Sequence, residues 1–306
     1  MRTFAAVDVG SNTLRLLISR AGEPLRPLEK KLRTTRLGKD LHLTGRLSED
    51  TIEKSVSVLD EFRRDMLEHN VSAYRAIATA AVRKAANRIE LINRARERAG
   101  MDLEVISGEE EARLTLAGTL CAIEETPGAV LVFDVGGGSS ELIGRRGGNE
   151  VNIHSVDIGA VNITERFLSD HDPPLPRELV QAGQFIRDSL ADAVLDLRGG
   201  METIERFVGT AGTVTTLAAM LQKMETYDPS RINGYQIKKD RIEQIFSIMA
   251  GMPTEQRKRL PGLEAARADI AVAGALIVME ILDAFGAENM IVSDSGLLEG
   301  VISSIS

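Results

Sequence analysis

Two stretches of this chain carry the same small-residue turn after an apolar run. Asp8-Val-Gly-Ser-Asn-Thr-Leu-Arg-Leu and Asp134-Val-Gly-Gly-Gly-Ser-Ser-Glu-Leu superpose without a gap at an offset of 126 positions. A strand that ends in Asp-x-Gly and turns through small residues leaves backbone N–H groups unpaired. Phosphate oxygens suit such donors, because no Cβ keeps the anion away and no formal charge is needed. The turns at Gly10 and at Gly136, Gly137 and Gly138, each closed by a hydroxyl residue (Thr13 and Ser139), are candidate phosphate cradles. Two such turns facing one cleft could hold two sides of one phosphoanhydride, with Asp8 and Asp134 as hard oxygen ligands for Mg²⁺ or its waters. The plainer alternative is a pair of tight hairpin turns whose Asp side chains satisfy nearby amides. Repetition together with the flanking strands argues against that alternative.

A third glycine turn, Phe207-Val-Gly-Thr-Ala-Gly-Thr-Val-Thr-Thr, joins a short strand to a helix whose first amides favour anions, and makes Gly212 a candidate. Neither a Walker A sequence nor G-x-G-x-x-G with a downstream acid is present, which excludes P-loop and Rossmann chemistry. Ser107-Gly-Glu-Glu-Glu-Ala-Arg113 opens a helix with three acids. Ser107 and Glu110 have capping-box spacing, and Glu109 can pair with Arg113 at i,i+4. Glu111 is left over, either as a third first-turn acid or as a general base that deprotonates an attacking water.

Arg83 and Lys84 present the opposite anomaly. A helix over about 80–99, capped by Thr79, would place both cations in its first turns, where the dipole disfavours them, unless an anionic ligand sits at the helix mouth. A solvated basic face is the plainer reading of Lys84. Residues 26–46 add seven basic side chains against two acidic ones, with Arg33 and Arg36 close to Gly38. That stretch has no Phe, Tyr or Trp for base stacking, so small polyanions fit it better than nucleic acid.

The elements that must position these residues alternate between apolar strands and amphipathic helices, an α/β pattern. Strands are expected at Phe4–Val9, Leu14–Ser19, 129–134, from Phe207 and at Met290–Val292. Helices are expected from Ser48 through Met66, over 80–99, after Ser107, from about 176 to Leu197, from about Asp240 and Ala265, and at the C-terminal end. With 306 residues, two domains of roughly 150 residues each are the starting expectation.

Composition narrows the classes further. One cysteine, Cys121, allows neither an intrachain disulfide nor a zinc site, and its apolar setting reads as core. His42, His69, His154 and His171 are scattered and suggest no metal centre. The start of the chain reaches Asp8 too soon for a signal peptide, and the most apolar run, Ala271–Leu282, is too short to span a bilayer, so a cytoplasmic protein without membrane contact is expected. The formal net charge of −8 conceals an asymmetry: residues 1–100 carry 20 basic and 13 acidic side chains, the remainder 17 and 32. A basic wall is therefore expected on the first domain, and phosphate contacts from neutral amides on the second.

An ordered set of motifs carries a resemblance over nearly the whole chain. It comprises DVGSNTLRLLI at Asp8–Ile18, Arg36-Leu37-Gly38, ATAAVRKAAN at Ala78–Asn87, SGEEEAR at Ser107–Arg113, DVGGGSSEL at Asp134–Leu142, DIGA at Asp157–Ala160, GTAGT at Gly209–Thr213 and SDSGLLEG at Ser293–Gly300. The series resembles the exopolyphosphatase / guanosine pentaphosphate phosphohydrolase (Ppx/GppA) family in its short two-domain form. The resemblance implies two ribonuclease-H-like domains, as in actin, sugar kinases and chaperone ATPases, with an interdomain active-site cleft. The expected domains are 1–123 and 124–295, with a helix at about 296–306 returning to the first. Carried over by position, Glu111 is the catalytic base and Arg83 the phosphate-contacting arginine. Asp8, Ser11 and Asn12 match the first phosphate motif, Asp134 and Gly136 the second, and Glu141 the acid after the glycine turn, a ligand for metal or water. Leu298 stands where relatives often carry Arg, and a C-terminal region with a metal signature found in long members has no counterpart here.

The expectation that follows is a Mg²⁺-dependent hydrolase acting on inorganic polyphosphate. Hydrolysis of guanosine pentaphosphate uses the same residues, and a nucleotide- or polyanion-binding regulator without turnover is the reading from another class. Relatives are often dimers, which makes a homodimer the oligomeric expectation.

Overall fold

The computed structural model describes residues 2–20, 22, 25–121, 128–146, 150–201 and 203–306. The chain forms two compact units, Met1–Cys121 with Gly296–Ser306, and Ala122–Ser295. The expected boundary between 123 and 124 lies outside the described residues.

The first unit runs β1 (Thr3–Val9), β2 (Thr13–Arg20), β3 (Arg26–Thr34), α1 (Leu41–Thr44), α2 (Glu49–Glu68), β4 (Ala73–Ala78), α3 (Ala80–Lys84), α4 (Arg88–Ala99), β5 (Leu103–Val105) and α5 (Gly108–Leu120). The second runs β6 (Ala129–Val135), β7 (Ser140–Arg146), β8 (Glu150–Val156), α6 (Ala160–Phe167), α7 (Pro176–Gly200), β9 (Ile204–Thr210), α8 (Ala211–Leu221), α9 (Pro229–Ile232), β10 (Gln236–Lys238), α10 (Lys239–Ala250), α11 (Thr254–Arg257), α12 (Ala271–Phe285) and β11 (Asn289–Val292). Helix α13 (Leu297–Ser303) then belongs to the first unit again.

Both sheets are mixed and share one strand order. The first reads β3-β2-β1-β4-β5; the second, from its other edge, reads β8-β7-β6-β9-β11 with β10 added outside. In each, the first two strands form an antiparallel hairpin and a later strand (β4 or β9) lies parallel to the hairpin's first strand. This is the α/β architecture anticipated from the alternating pattern.

Strand β1 is buried along its whole length because it has helices on both faces. Ala5, Val7 and Val9 join a core with Ile52, Val56, Leu59 and Phe62 of α2 and Leu91 and Ala95 of α4, whereas Phe4 and Ala6 join Leu297, Leu298, Val301 and Ile302 of α13. The period of two along the strand thus divides one sheet between two cores. Leu298 is buried in the second of them.

Three sequence expectations need correction. The helix expected over 80–99 is two helices. Ala85 turns extended, the amide of Ala86 donates to the Gly45 carbonyl, and the Asn87 side chain bonds both the N–H and the C=O of Leu47. A long-range clasp thus overrides continuous helix propensity. The helix expected from Ala265 begins at Ala271, preceded by a 3₁₀ turn at Ala265–Arg267. Successive i→i+3 bonds from Arg267 to Glu264 and from Ile270 to Arg267 hold that turn. Cys121 is exposed, since it caps the end of α5, where the apolar face of the helix has run out.

Candidate active site

The two repeated turns close with the same backbone hydrogen bond. In the first, the Gly10 amide donates to the Thr13 carbonyl at 3.1 Å; in the second, the Gly136 amide donates to the Ser139 carbonyl at 3.0 Å. Those two amides close their turns and are no longer free for a ligand, which corrects the expectation for Gly10 and Gly136 as direct amide donors. The amides of Ser11, Asn12, Gly137 and Gly138 have no backbone acceptor among the described residues.

Each turn is held from behind. The Asn12 carbonyl accepts from the Thr35 and Arg36 amides, and the Ser11 carbonyl accepts from the Gly38 amide at 2.7 Å. Arg36 adopts the left-handed conformation (φ 55°) to make this approach, and its side chain is exposed. In the second unit the Gly136 and Gly137 carbonyls accept from Ala160 and Val161 at the start of α6, while Asn162 Nδ2 donates to the Gly138 carbonyl at 2.7 Å. With the carbonyls tied back, the Gly137 and Gly138 peptides are oriented for their N–H groups to serve a ligand. The approach is so close that a Cβ on Gly159 would lie 2.3 Å from the Gly137 carbonyl oxygen. The sequence reading did not single out Thr35 as a support of the first turn, nor Gly159 and Asn162 as supports of the second; the DIGA motif was the available signal for Gly159.

The copies diverge in charge. Asp8 pairs across its hairpin with Arg15, and Asp134 pairs across its own with Glu141. Arg15 donates to Asp8 Oδ2 from Nε at 2.9 Å and from Nη2 at 2.7 Å, while Asp8 Oδ1 is buried without a hydrogen-bond partner among the described residues. In the second unit two carboxylates share one sheet face. Glu141 is only 1% exposed, and its Oε1 accepts from the Ser139 and Ser155 hydroxyls at 2.9 and 2.8 Å.

That donor set fits a hard divalent ion. Among the described residues no three His, Cys, Asp or Glu side chains gather on one point. Mg²⁺, however, commonly takes one or two carboxylates and completes its shell with water and substrate phosphates. Asp134 and Glu141 offer such a pair in the second unit, and the orphaned Asp8 Oδ1 offers a buried oxygen in the first.

Glu111 sits in the first turn of α5, buried. Its Oε2 accepts from Arg83 Nη1 at 3.2 Å, and the same nitrogen donates to the Ile106 carbonyl at 2.9 Å. The reading of Arg83 as a cation placed against a helix dipole is thereby overturned. Helix α3 is five residues long, and Arg83 and Lys84 lie in its last turn, where the dipole favours them. Arg83 Nε and Nη2 make no hydrogen bond to any described residue, so one edge of the guanidinium stays open beside the buried carboxylate. The other two acids of the turn have arginines of their own. Glu109 pairs with Arg113 at 2.8 Å, as the spacing indicated. Glu110 does not complete the capping box with its carboxylate; that group bonds Arg75, and only the Ser107 Oγ half of the box forms, at 3.1 Å.

The remaining candidates are distributed differently. Gly212 opens α8, but the space a Cβ would take is filled by the Arg267 guanidinium, 2.1–2.5 Å from that position. Its missing side chain accommodates an arginine of the same unit. Arg33 forms a two-point ion pair with Glu61. Asp8, Ser11, Asn12, Thr13, Arg36, Arg83 and Glu111 belong to the first unit, and Asp134, Gly136–Ser139, Glu141 and Gly212 to the second.

Comparison with known proteins points one way. A model of the Ppx/GppA phosphatase family matches residues 17–306. Exopolyphosphatase 2 of Mycobacterium tuberculosis is 31% identical over 316 residues, an alignment that takes in 98% of each chain. Among solved structures, the Aquifex aeolicus member of the Ppx/GppA protein family superposes with a TM-score of 0.82 at 33% identity, covering 99% of this chain and 97% of that one. An exopolyphosphatase from Cytophaga hutchinsonii superposes with a TM-score of 0.91 at 26% identity, covering 99% and 97%.

Proposed function

This chain belongs to the Ppx/GppA phosphatase family, and from that premise we propose that it is an exopolyphosphatase, releasing the terminal phosphate of inorganic polyphosphate by attack of a water that Glu111 deprotonates. The observation that carries this reading is the buried Glu111 carboxylate held by one corner of a guanidinium whose opposite edge is open. A phosphate on the open edge of Arg83 would be fixed by the same rigid group that orients the base. The water oxygen then bonds to the terminal phosphorus, its proton passes to Glu111 Oε, and the bond from phosphorus to the bridging oxygen breaks.

Positioning and charge stabilisation carry most of the rate in such a reaction. Backbone amides of Ser11 and Asn12 and of Gly137 and Gly138 would donate to phosphate oxygens, with Arg36 adding charge at the first turn. Asp134 and Glu141 would hold Mg²⁺ in the second unit, and Asp8 is the candidate ligand of the first. When bound, that ion would neutralise phosphate oxygens as charge builds on them.

The test is phosphate release from polyphosphate of defined lengths and from guanosine pentaphosphate, with and without Mg²⁺, by wild type and by Glu111→Gln. Release from polyphosphate that needs Mg²⁺ and falls about 10²–10⁴-fold in Glu111→Gln is expected. No release, faster release from guanosine pentaphosphate, or an active Glu111→Gln would each overturn the assignment.

A further inference from the structure

We propose that Arg75 is a positioning residue for Glu111, acting through Glu110. The inference rests on the role given to Glu111 above.

Sequence spacing favours a local arrangement at the start of α5, with the Glu110 carboxylate turned back onto the Ser107 amide. The chain adopts another. Arg75, on β4, grips Glu104 of β5 with two bonds, Nε to Oε2 at 2.8 Å and Nη2 to Oε1 at 2.9 Å. Its Nη2 also donates to Glu110, and its Nη1 reaches Ser304 Oγ at 3.5 Å. The fork to Glu104 leaves the guanidinium little freedom, so Glu110 is bound to a fixed point of the sheet rather than to its own helix.

Orientation is the consequence. Successive residues of a helix lie about 100° apart around its axis. Fixing Glu110 toward the β4–β5 edge therefore fixes where Glu111 points, and it points at Arg83. The body of α5 is clamped separately: a Cβ on Gly118 would lie 1.9 Å from the Gly296 carbonyl oxygen, and one on Gly300 would lie 1.8 Å from that of Leu114. Those contacts set the helix axis but not its first turn, which among the described residues is also held by the Ser107 hydroxyl and by the Arg83 bond to Glu111 itself. The Glu109–Arg113 pair is exposed on both sides and lies within the helix, so it fixes nothing beyond it.

The experiment compares Glu110→Gln, Arg75→Gln, their double variant and Arg113→Gln. Steady-state phosphate release gives kcat and KM, and amide hydrogen exchange over residues 109–113 gives a readout that needs no turnover. In Glu110→Gln we expect kcat to fall about tenfold with KM unchanged. Exchange in the first turn should quicken while exchange in β1 and β2 stays as in wild type. The double variant should be no slower than either single one, because both remove the same link, and Arg113→Gln should behave as wild type. Wild-type kcat in Glu110→Gln, an equal rise in KM, additive losses in the double variant, or unchanged exchange would overturn the proposal. Glu110→Gln leaves the Arg75–Glu104 pair intact and decides the matter if Arg75→Gln fails to fold. A wild type without phosphate release would count against the exopolyphosphatase assignment alone, and the exchange arm would still decide this one.

Discussion

Arg83 separates two roles that a lysine cannot combine. One nitrogen serves Glu111 and the Ile106 carbonyl, and in the proposed reaction the far edge, which bonds no described residue, takes a phosphate oxygen. Lysine keeps the charge but offers a single point of attachment. Arg83→Lys should therefore lower kcat/KM on polyphosphate about 10–100-fold, the equivalent of one charge-assisted hydrogen bond of about 1.5–3 kcal/mol, as steady-state phosphate release will show. At the start of α5 the Glu109–Arg113 pair was legible because a partner four residues away can be read from spacing, whereas the capping box read from Ser107 and Glu110 forms only in half. Arg15 and Arg75 were not legible, because each finds its carboxylate through sheet geometry. Arg15 reaches Asp8 across a hairpin, and Arg75 reaches Glu104 on a neighbouring strand and Glu110 on a helix beyond it. Arg83 was singled out on a premise that failed, since the dipole argument assumed one long helix where the chain makes two.

Helices α5 and α13 meet backbone to backbone at Gly118, Gly296 and Gly300, where no side chain fits. A methyl group at Gly300 would have to displace the Leu114 carbonyl, so Gly300→Ala should lose about 1–3 kcal/mol, seen as a lower urea midpoint. Gly199→Ala is the matching control: it lies in α7 with nothing within 4 Å of its Cβ position, and should be neutral or slightly stabilising. Most elements were legible because apolar periodicity follows burial, and burial dominates where a strand or helix faces one core. The break at 85–87 escaped, because the Asn87 clasp on Leu47 is a contact between residues 40 apart. The repeated turn was legible, since a tight turn is determined by its own few residues, but the bond that closes it from the Gly10 or Gly136 amide was not, because the sequence reading left those amides free for a ligand.

Across the whole molecule the charge asymmetry of the sequence takes a definite form. The fold brings Asp102, Glu104, Glu109, Glu110, Glu111 and Glu299 into the first unit against Arg113 alone, so the +7 of residues 1–100 falls to +2 over the unit, and Lys31, Arg33, Arg75, Arg83, Arg94 and Arg98 are all engaged in ion pairs. Sequence totals cannot reveal this, because pairing depends on the fold. The first unit is also discontinuous, and a ribosome makes a chain in order. Phe4, Ala6, Leu17 and Ile77 emerge early, yet their apolar partners Leu297, Leu298, Val301 and Ile302 are not translated until all of Ala122–Ser295 has been. At roughly 5–20 residues per second, one apolar face of the first sheet has only Ile106 and Leu114 to cover it for on the order of ten seconds or more. Nascent chains arrested at Ser295 should accordingly be cut by protease within residues 1–121, and should recruit a hydrophobic-surface chaperone that chains arrested beyond a fully emerged α13 do not. Translation, in this protein, finishes the first unit after the second.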